Sequence, residues 1–172
     1  GLAKPWVPLP DDVEAQVWDA INRGMIVLLV GPMGRGKSRL LCRMVQRYIN
    51  NKVYSARYMT TSEFIRSRQA EFGSKPQIVC RLIQTGLLAF DEIDKAARTL
   101  KGAAWVKSEL FSVFDGRYSR VRPLLLAGNS ATIFEDEPGD AIRYGALMAD
   151  RMRECGVVID VSGWDSHRGA KA

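Results

Sequence analysis

Gly31-Pro32-Met33-Gly34-Arg35-Gly36-Lys37-Ser38 spells G-x-x-x-x-G-K-[ST]. Each residue type has a chemical reason to stand where it does. Glycines let successive backbone N–H groups turn inward around phosphate oxygens, Lys37 reaches the β/γ oxygens, and the Ser38 hydroxyl suits Mg²⁺. A second group stands at Asp91-Glu92, directly after the apolar run Leu87-Leu88-Ala89-Phe90. At the end of a buried strand beside a phosphate loop, Asp91 can hold Mg²⁺ with Ser38. Glu92, one residue farther out, can polarise a water for in-line attack on a γ-phosphoryl group. Asn129 ends another apolar run, Leu124 to Gly128. Its neutral amide can orient that water or touch the γ-phosphate without competing for metal, the lesser reading being a strand-terminating turn residue. Together these residues describe an ATP and Mg²⁺ site.

Such residues need a frame that delivers them to one edge. Asp11-Asp12 opens a helix with Val13, Val17 and Ile21 at helical spacing, and Gly24 ends it. Met25 to Val30 reads as the first strand, and a helix from Lys37 carries Leu40, Leu41, Met44, Val45, Tyr48 and Ile49 on one broad face. On that helix Arg39, Arg43 and Arg47 form a separate basic stripe. Val53 to Tyr58 is expected as strand two. Thr60-x-x-Glu63 is a capping box that starts a helix to about Phe72, and a short helix from Pro76 ends at Gly86. Leu87 to Phe90 is the third strand. A loop with Lys95, Arg98 and Lys101 follows, then a helix whose Trp105, Val106, Leu110, Phe111 and Phe114 read as core. Leu124 to Ala127, a helix around Ala141 to Glu154 and a strand Val157 to Val161 complete the alternation. Apolar strands alternating with helices predict an α/β sandwich around a parallel sheet.

The 172 residues suit one domain, 47% hydrophobic and 26% charged. No apolar stretch approaches the roughly 20 residues that cross a bilayer, and the first residues carry neither signal-peptide nor lipidation pattern, so a cytoplasmic protein is expected. Cys42, Cys80 and Cys155, with the single His167, support neither a disulfide framework nor a zinc site, and the cysteines are expected as small buried apolar residues. The net charge is +6, but Arg35 to Arg81 holds eleven Lys/Arg against Glu63 and Glu71, which is +9 in that stretch alone. Such concentration points to a polyanion, nucleic acid first, with a solvated face as the other reading.

The three strand ends GPMGRGKS, LLAFDE and LLLAGN, in this order, resemble those of the AAA+ ATPases. Three further segments are similar to the helicase-loader branch, the DnaC/DnaI-type proteins, and to the related IstB-type transposition helpers. These are FDGRYSRVRPLLLAGNS, the box Asp150-Arg151-Met152-Arg153-Glu154, and the ending Gly163-Trp164-Asp165-Ser166-His167-Arg168. The resemblance implies a single AAA+ ATPase domain over 1–172, with a lead-in and helix over 1–24 and no helical lid. It implies a five-stranded parallel sheet of order 5-1-4-3-2. It also implies a basic helical insertion over 60–86 that tracks single-stranded DNA, with Arg66, Arg68, Lys75 and Arg81 as contacts. Arg151 is then an arginine finger acting in trans on a neighbouring subunit's ATP, and Arg168 a sensor arginine near the γ-phosphate. Arg151 and Arg153 also read as a helix-face pair with Asp150 and Glu154. The implied function is an ATP-hydrolysing, oligomeric switch that helps load a replicative helicase. Rivals are a transposition helper on duplex DNA, a P-loop kinase for a small molecule, and a nucleotide-gated binding module. A full loader carries an N-terminal helicase-binding module; about 24 residues stand before the first strand and Gly1 stands in place of Met, so contact with a helicase is expected through sequence ahead of Gly1. The acidic loop Glu135-Asp136-Glu137 with Asp140 has no role assigned by the resemblance.

Overall fold

The computed structural model describes residues 11–51, 55–73, 77–95, 103–136 and 144–164. Five strands, β1 (Ile26–Val30), β2 (Ala56–Thr60), β3 (Leu87–Asp91), β4 (Leu124–Gly128) and β5 (Gly156–Asp160), form one sheet. Every pairing in it is parallel. Its order, β2-β3-β4-β1-β5, is the expected 5-1-4-3-2 read from the other edge. The three central strands are near-continuous apolar runs because helices cover both faces. Edge strands β2 and β5 are only partly buried.

The helices are α1 (Asp11–Asn22), α2 (Lys37–Asn51), α3 (Thr61–Ala70), α4 (Gln77–Gln84), α5 (Ala103–Tyr118) and α6 (Tyr144–Cys155). Because side chains alternate along a strand, the sheet builds two cores. On one face Val27, Leu29, Ala89, Leu125 and Ala127 pack with Val17 and Ile21 of α1 and Leu40, Leu41 and Met44 of α2. On the other Leu28, Phe90, Leu124 and Leu126 meet Phe64 of α3, Leu82 of α4, Phe114 of α5 and Met148 of α6. Trp105 and Phe111 lie partly buried against this second core, as expected of α5's aromatics. Ile49 departs from its expected place and is exposed.

Strand two lies further along the chain than the sequence predicts. It runs over Ala56–Thr60, where Thr60 pairs with Asp91, and residues 52–54 fall outside the described set. Thr60 serves both as the last strand residue and as the N-cap of α3. Its hydroxyl accepts from the Glu63 N–H, and the Glu63 carboxylate accepts from the Thr60 N–H at 2.7 Å. The cysteines also correct their expectation: Cys42 and Cys80 are exposed, on helices whose inner sides are filled by bulkier apolar residues, and Cys155 is half-buried against the second core.

Arg117, late in α5, is fully buried. Its guanidinium donates to the carbonyl oxygens of Leu82, Thr85, Gly86 and Pro123, tying the end of α4 and the lead-in to β4 together beneath the sheet. Burial pulls its proton affinity down from the usual arginine value. Gly116 beside it lets α4 approach, since a Cβ there would meet Ile83 Cδ1 at 2.7 Å.

Candidate functional site

The loop Gly31 to Ser38 leaves β1 and enters α2, whose first residue is Lys37. Gly34 and Gly36 hold φ of 82° and 86°, the left-handed region that side chains disfavour, and this lets the backbone curl around a concavity. Lys37 is buried. Its ammonium donates to the carbonyls of Gly31 (2.5 Å) and Pro32 (2.8 Å) and to Asn129 Oδ1 (3.2 Å). Burial lowers the proton affinity of that ammonium, while the Asp91 and Asp94 carboxylates oppose the shift. An open cleft of about 350 Å³ lies above the loop, and Gly34 to Ser38, Asp91, Glu92, Asp94 and Asn129 line it. Sheet order explains the meeting: β1 and β3 both flank β4, so the loop after β1, the carboxylates after β3 and the asparagine after β4 share one edge.

Asp91 is 3% exposed. One carboxylate oxygen, Oδ1, accepts from the Glu92 N–H (2.7 Å) and the other, Oδ2, from the Tyr58 hydroxyl (2.8 Å). Burial, and then the hydrogen bond to Asp91, drive the pKa of the phenol upward, while the nearby Ser38 side chain acts in the lowering sense. Glu92 has φ of 58°, which is uncommon outside glycine, and the Thr61 hydroxyl donates to its carbonyl at 3.0 Å. The Glu92 carboxylate pairs with Lys95 at 2.7 Å, with both side chains substantially exposed. Such a pair is worth less than about 1 kcal/mol and releases the carboxylate readily. Asp94 is 2% exposed and holds the Asn129 N–H through Oδ1 at 3.1 Å, so the two strand ends are fixed to each other.

Of the remaining expected residues, Arg66 and Arg81 are exposed, and Arg81 donates to Gln77 within its own helix. Arg68 is turned inward and corrects its expected place on a DNA-facing surface: its fork meets Glu109 of α5 at 3.1 and 2.8 Å, and Glu71 at 3.3 Å. The reason is geometric. Two residues along a helix is about 200° of rotation, so Arg66 and Arg68 face opposite ways. The basic stripe on α2 is likewise engaged: Arg43 pairs with Glu14 of α1 at 3.0 Å, and Arg47 lies over the Trp18 ring. Arg151 is directed at its own neighbours, pairing with Asp115 at 3.2 Å and lying over the Tyr118 ring at 4.6 Å. Arg153 pairs with Asp150. Lys75, Arg168, Arg98 and Lys101 lie outside the described residues.

Tyr58, Asp94 and Asp136 are contributors the sequence reading did not single out. Asp136 gives the acidic loop a structural purpose, since its carboxylate accepts from the Gly145 and Ala146 N–H groups (2.7 and 2.9 Å) and caps α6. No sequence signal marked it, since it lies eight residues ahead of the helix and not at the N-cap position. The phosphate loop is itself tied to the turn after β5, because Arg35 donates to the Trp164 carbonyl.

No protein-family model and no curated protein sequence matches this chain. Solved structures do. Replication initiator DnaA bound to AMPPCP and single-stranded DNA superposes with a TM-score of 0.68 at 18% identity, over 90% of this chain and 47% of that one. DnaI superposes with a TM-score of 0.70 at 16% identity, over 94% and 88%. The DnaC helicase loader gives 0.66 at 13% identity, over 90% and 93%. The chain spans 48% to 66% of the length of the initiator structures matched with a TM-score of 0.71. At these identities the likeness is one of fold, and the sheet order, the strand-end loop and the flanking helices agree with it: the chain has the fold of the AAA+ ATPases, in a form similar to DNA replication initiators and helicase loaders.

Proposed function

We propose that the chain is an ATP-binding and ATP-hydrolysing AAA+ switch that binds single-stranded DNA and assists the loading of a replicative helicase. The observation that carries this reading is the gathering of Lys37, Ser38, Asp91, Glu92 and Asn129 around one cleft at the carboxyl edge of a parallel sheet. The donor set fits a nucleotide and a hard divalent cation. Backbone N–H groups of residues 33–38, at the N-terminus of α2, receive phosphate oxygens. Lys37 exchanges the carbonyls of Gly31 and Pro32 for the β/γ oxygens. Among the described residues no three His, Cys, Asp or Glu converge as a self-sufficient metal site. Ser38 and Asp91 would therefore share Mg²⁺ with the phosphates themselves, as Mg²⁺ sites commonly do. When bound, that ion neutralises charge on the phosphates. Glu92, released from Lys95, accepts a proton from the attacking water, and Asn129, held by Asp94, orients it.

Exposed Arg66 and Arg81 support a contact with nucleic-acid phosphates, and the likeness to a DnaA structure described with single-stranded DNA and to helicase loaders supports the setting. No helix among the described residues is long and apolar enough to cross a membrane. Arg151 as an in-trans finger and Arg168 as a sensor belong to the same reading.

Two substitutions separate its steps. Lys37→Ala should abolish equilibrium binding of a fluorescent ATP analogue. Glu92→Gln should bind it normally and lose about 10²- to 10⁴-fold in turnover, because only the proton acceptor is removed. Wild-type turnover by Glu92→Gln would refute the assignment of the base, and undiminished binding by Lys37→Ala would refute the site.

A further inference from the structure

Tyr58 stands on edge strand β2 directly opposite Ala89 of β3. In a parallel pair, residues in register share a face, so Tyr58, Ala89 and Asp91 all lie on the side covered by α2. Ala89 has only a methyl group. The phenol can therefore run along β3 toward the carboxyl edge, and its hydroxyl ends 2.8 Å from Asp91 Oδ2, one diagonal step beyond its register partner. Ser38, in the first turn of α2, lies close enough to act on the same phenol. One side chain thus holds the Asp91 carboxylate from the neighbouring strand, 33 residues away in the chain, beside the start of α2. A carboxylate has about four lone-pair positions. Two on Asp91 are taken, one by Tyr58 and one by the Glu92 N–H, which fixes the plane of the carboxylate and leaves the others available to the cleft.

We propose that Tyr58 is a positioning residue for the divalent cation of the nucleotide site, holding the Asp91 carboxylate in the orientation that the ion requires. The inference rests on the ATP and Mg²⁺ reading above. Its physical basis is that groups hydrogen-bonded to metal-binding carboxylates set their direction, and losing such a partner typically costs 10- to 100-fold in metal affinity. Tyr58 touches neither nucleotide nor water in this role. Its removal should act on the cation and leave metal-free binding alone.

Tyr58→Phe keeps the ring and removes the hydroxyl. A fluorescent ATP analogue is titrated onto wild type and variant in EDTA, then under a Mg²⁺ series, with the unfolding midpoint measured alongside. Equal affinity in EDTA, with the half-maximal Mg²⁺ concentration raised about 10-fold or more, is the expected result. A Mg²⁺ requirement equal to wild type overturns the proposal. So does a loss of affinity that is the same in EDTA and in Mg²⁺, which marks a packing role. A double-mutant cycle supplies a second readout: in an Asp91→Asn background, Tyr58→Phe should no longer move the Mg²⁺ requirement, and an undiminished effect there also overturns it. If wild type binds the analogue neither with nor without Mg²⁺, the nucleotide reading itself falls and takes this inference with it.

Discussion

Arg66 and Arg68 are two residues apart on α3, and the structure gives them different consequences when lost. Arg68 has 8% of its side chain exposed and holds Glu109 through two hydrogen bonds and Glu71 through a third. Glu71 in turn accepts from the Ile78 N–H at the start of α4, so the network hangs α3 and α4 on α5. Removing one member of a fully buried ion pair costs about 3–5 kcal/mol. Glu109 and Glu71 remain about a quarter exposed and recover part of their hydration, which brings the expected loss for Arg68→Ala to about 2 kcal/mol. For a domain of this size that is about 4–8 °C in the unfolding midpoint. Arg66→Ala should change stability by no more than about 0.5 kcal/mol, as surface substitutions do. Their effects on DNA reverse. In a salt titration of single-strand binding by fluorescence anisotropy, Arg66→Ala should flatten the slope of log K against log salt by about 0.7, one phosphate contact, and Arg68→Ala, measured well below its midpoint, should leave it unchanged. If Arg68→Ala flattens the slope and melts like wild type, the internal network is not what holds Arg68, and the reasoning fails.

Arg117→Met should lower the unfolding free energy by about 3 kcal/mol or more, read by denaturant titration, because it strands the carbonyls of Leu82, Thr85, Gly86 and Pro123 without their donor. The Thr60 N–H and hydroxyl hold the Glu63 carboxyl below its ordinary pKa of 4.5. Its contribution is therefore fully present above pH 4.5 and is lost as pH falls through the depressed value, so the stability gap between wild type and Glu63→Gln should narrow on acidification below pH 4.5. Arg151→Ala and Lys37→Ala should each fail to hydrolyse ATP. Mixed on single-stranded DNA they should recover partial activity if Arg151 leaves Asp115 to reach a neighbour's nucleotide; a mixture as inactive as its components assigns Arg151 to its Asp115 and Tyr118 contacts alone.

The phosphate loop and the Asp91-Glu92 pair were legible because each is written in a few contiguous residues: a glycine spacing, an apolar run, the residue that ends it; the sheet order came only through the family resemblance, since strand neighbours such as β1 and β4 are far apart in the chain. The Thr60 to Glu63 capping box was legible for the same reason. Strand two was displaced because its register is set by pairing with β3, which puts Thr60 level with Asp91, and no local pattern encodes that partner. Tyr58, Asp94 and Arg117 went unread for a related reason. Each acts on groups that the chain brings near only after the sheet is assembled, and before assembly each looks like an ordinary strand, loop or helix residue. Arg117 did leave a trace, an arginine following Phe114 and Gly116 on an otherwise apolar helix face.

Charge shows most clearly where sequence arithmetic stops. A stretch of +9 fixes the sum of a field but not its direction, because acids from outside the stretch can answer it. Glu14 answers Arg43 and Glu109 answers Arg68, both from other helices. Arg47 spends its face on Trp18, Arg35 on the Trp164 carbonyl, and Lys37 on the phosphate loop. These cations are already committed to holding the fold or the site. Arg57 on β2 and Arg66 on α3 remain exposed, and both act on the Glu63 carboxyl, which places them near one another beside the sheet edge. A field that falls off within about 8 Å at physiological salt is felt by a phosphate only at charges it can approach. Among the described residues the exposed cations outside those contacts are therefore fewer than the sequence implies: Arg57 and Arg66 stand at the edge formed by β2 and α3 and Arg81 on α4, and a strand of nucleic acid held at that edge, as the proposed function has it, would lie one strand away from the one that carries Asp91.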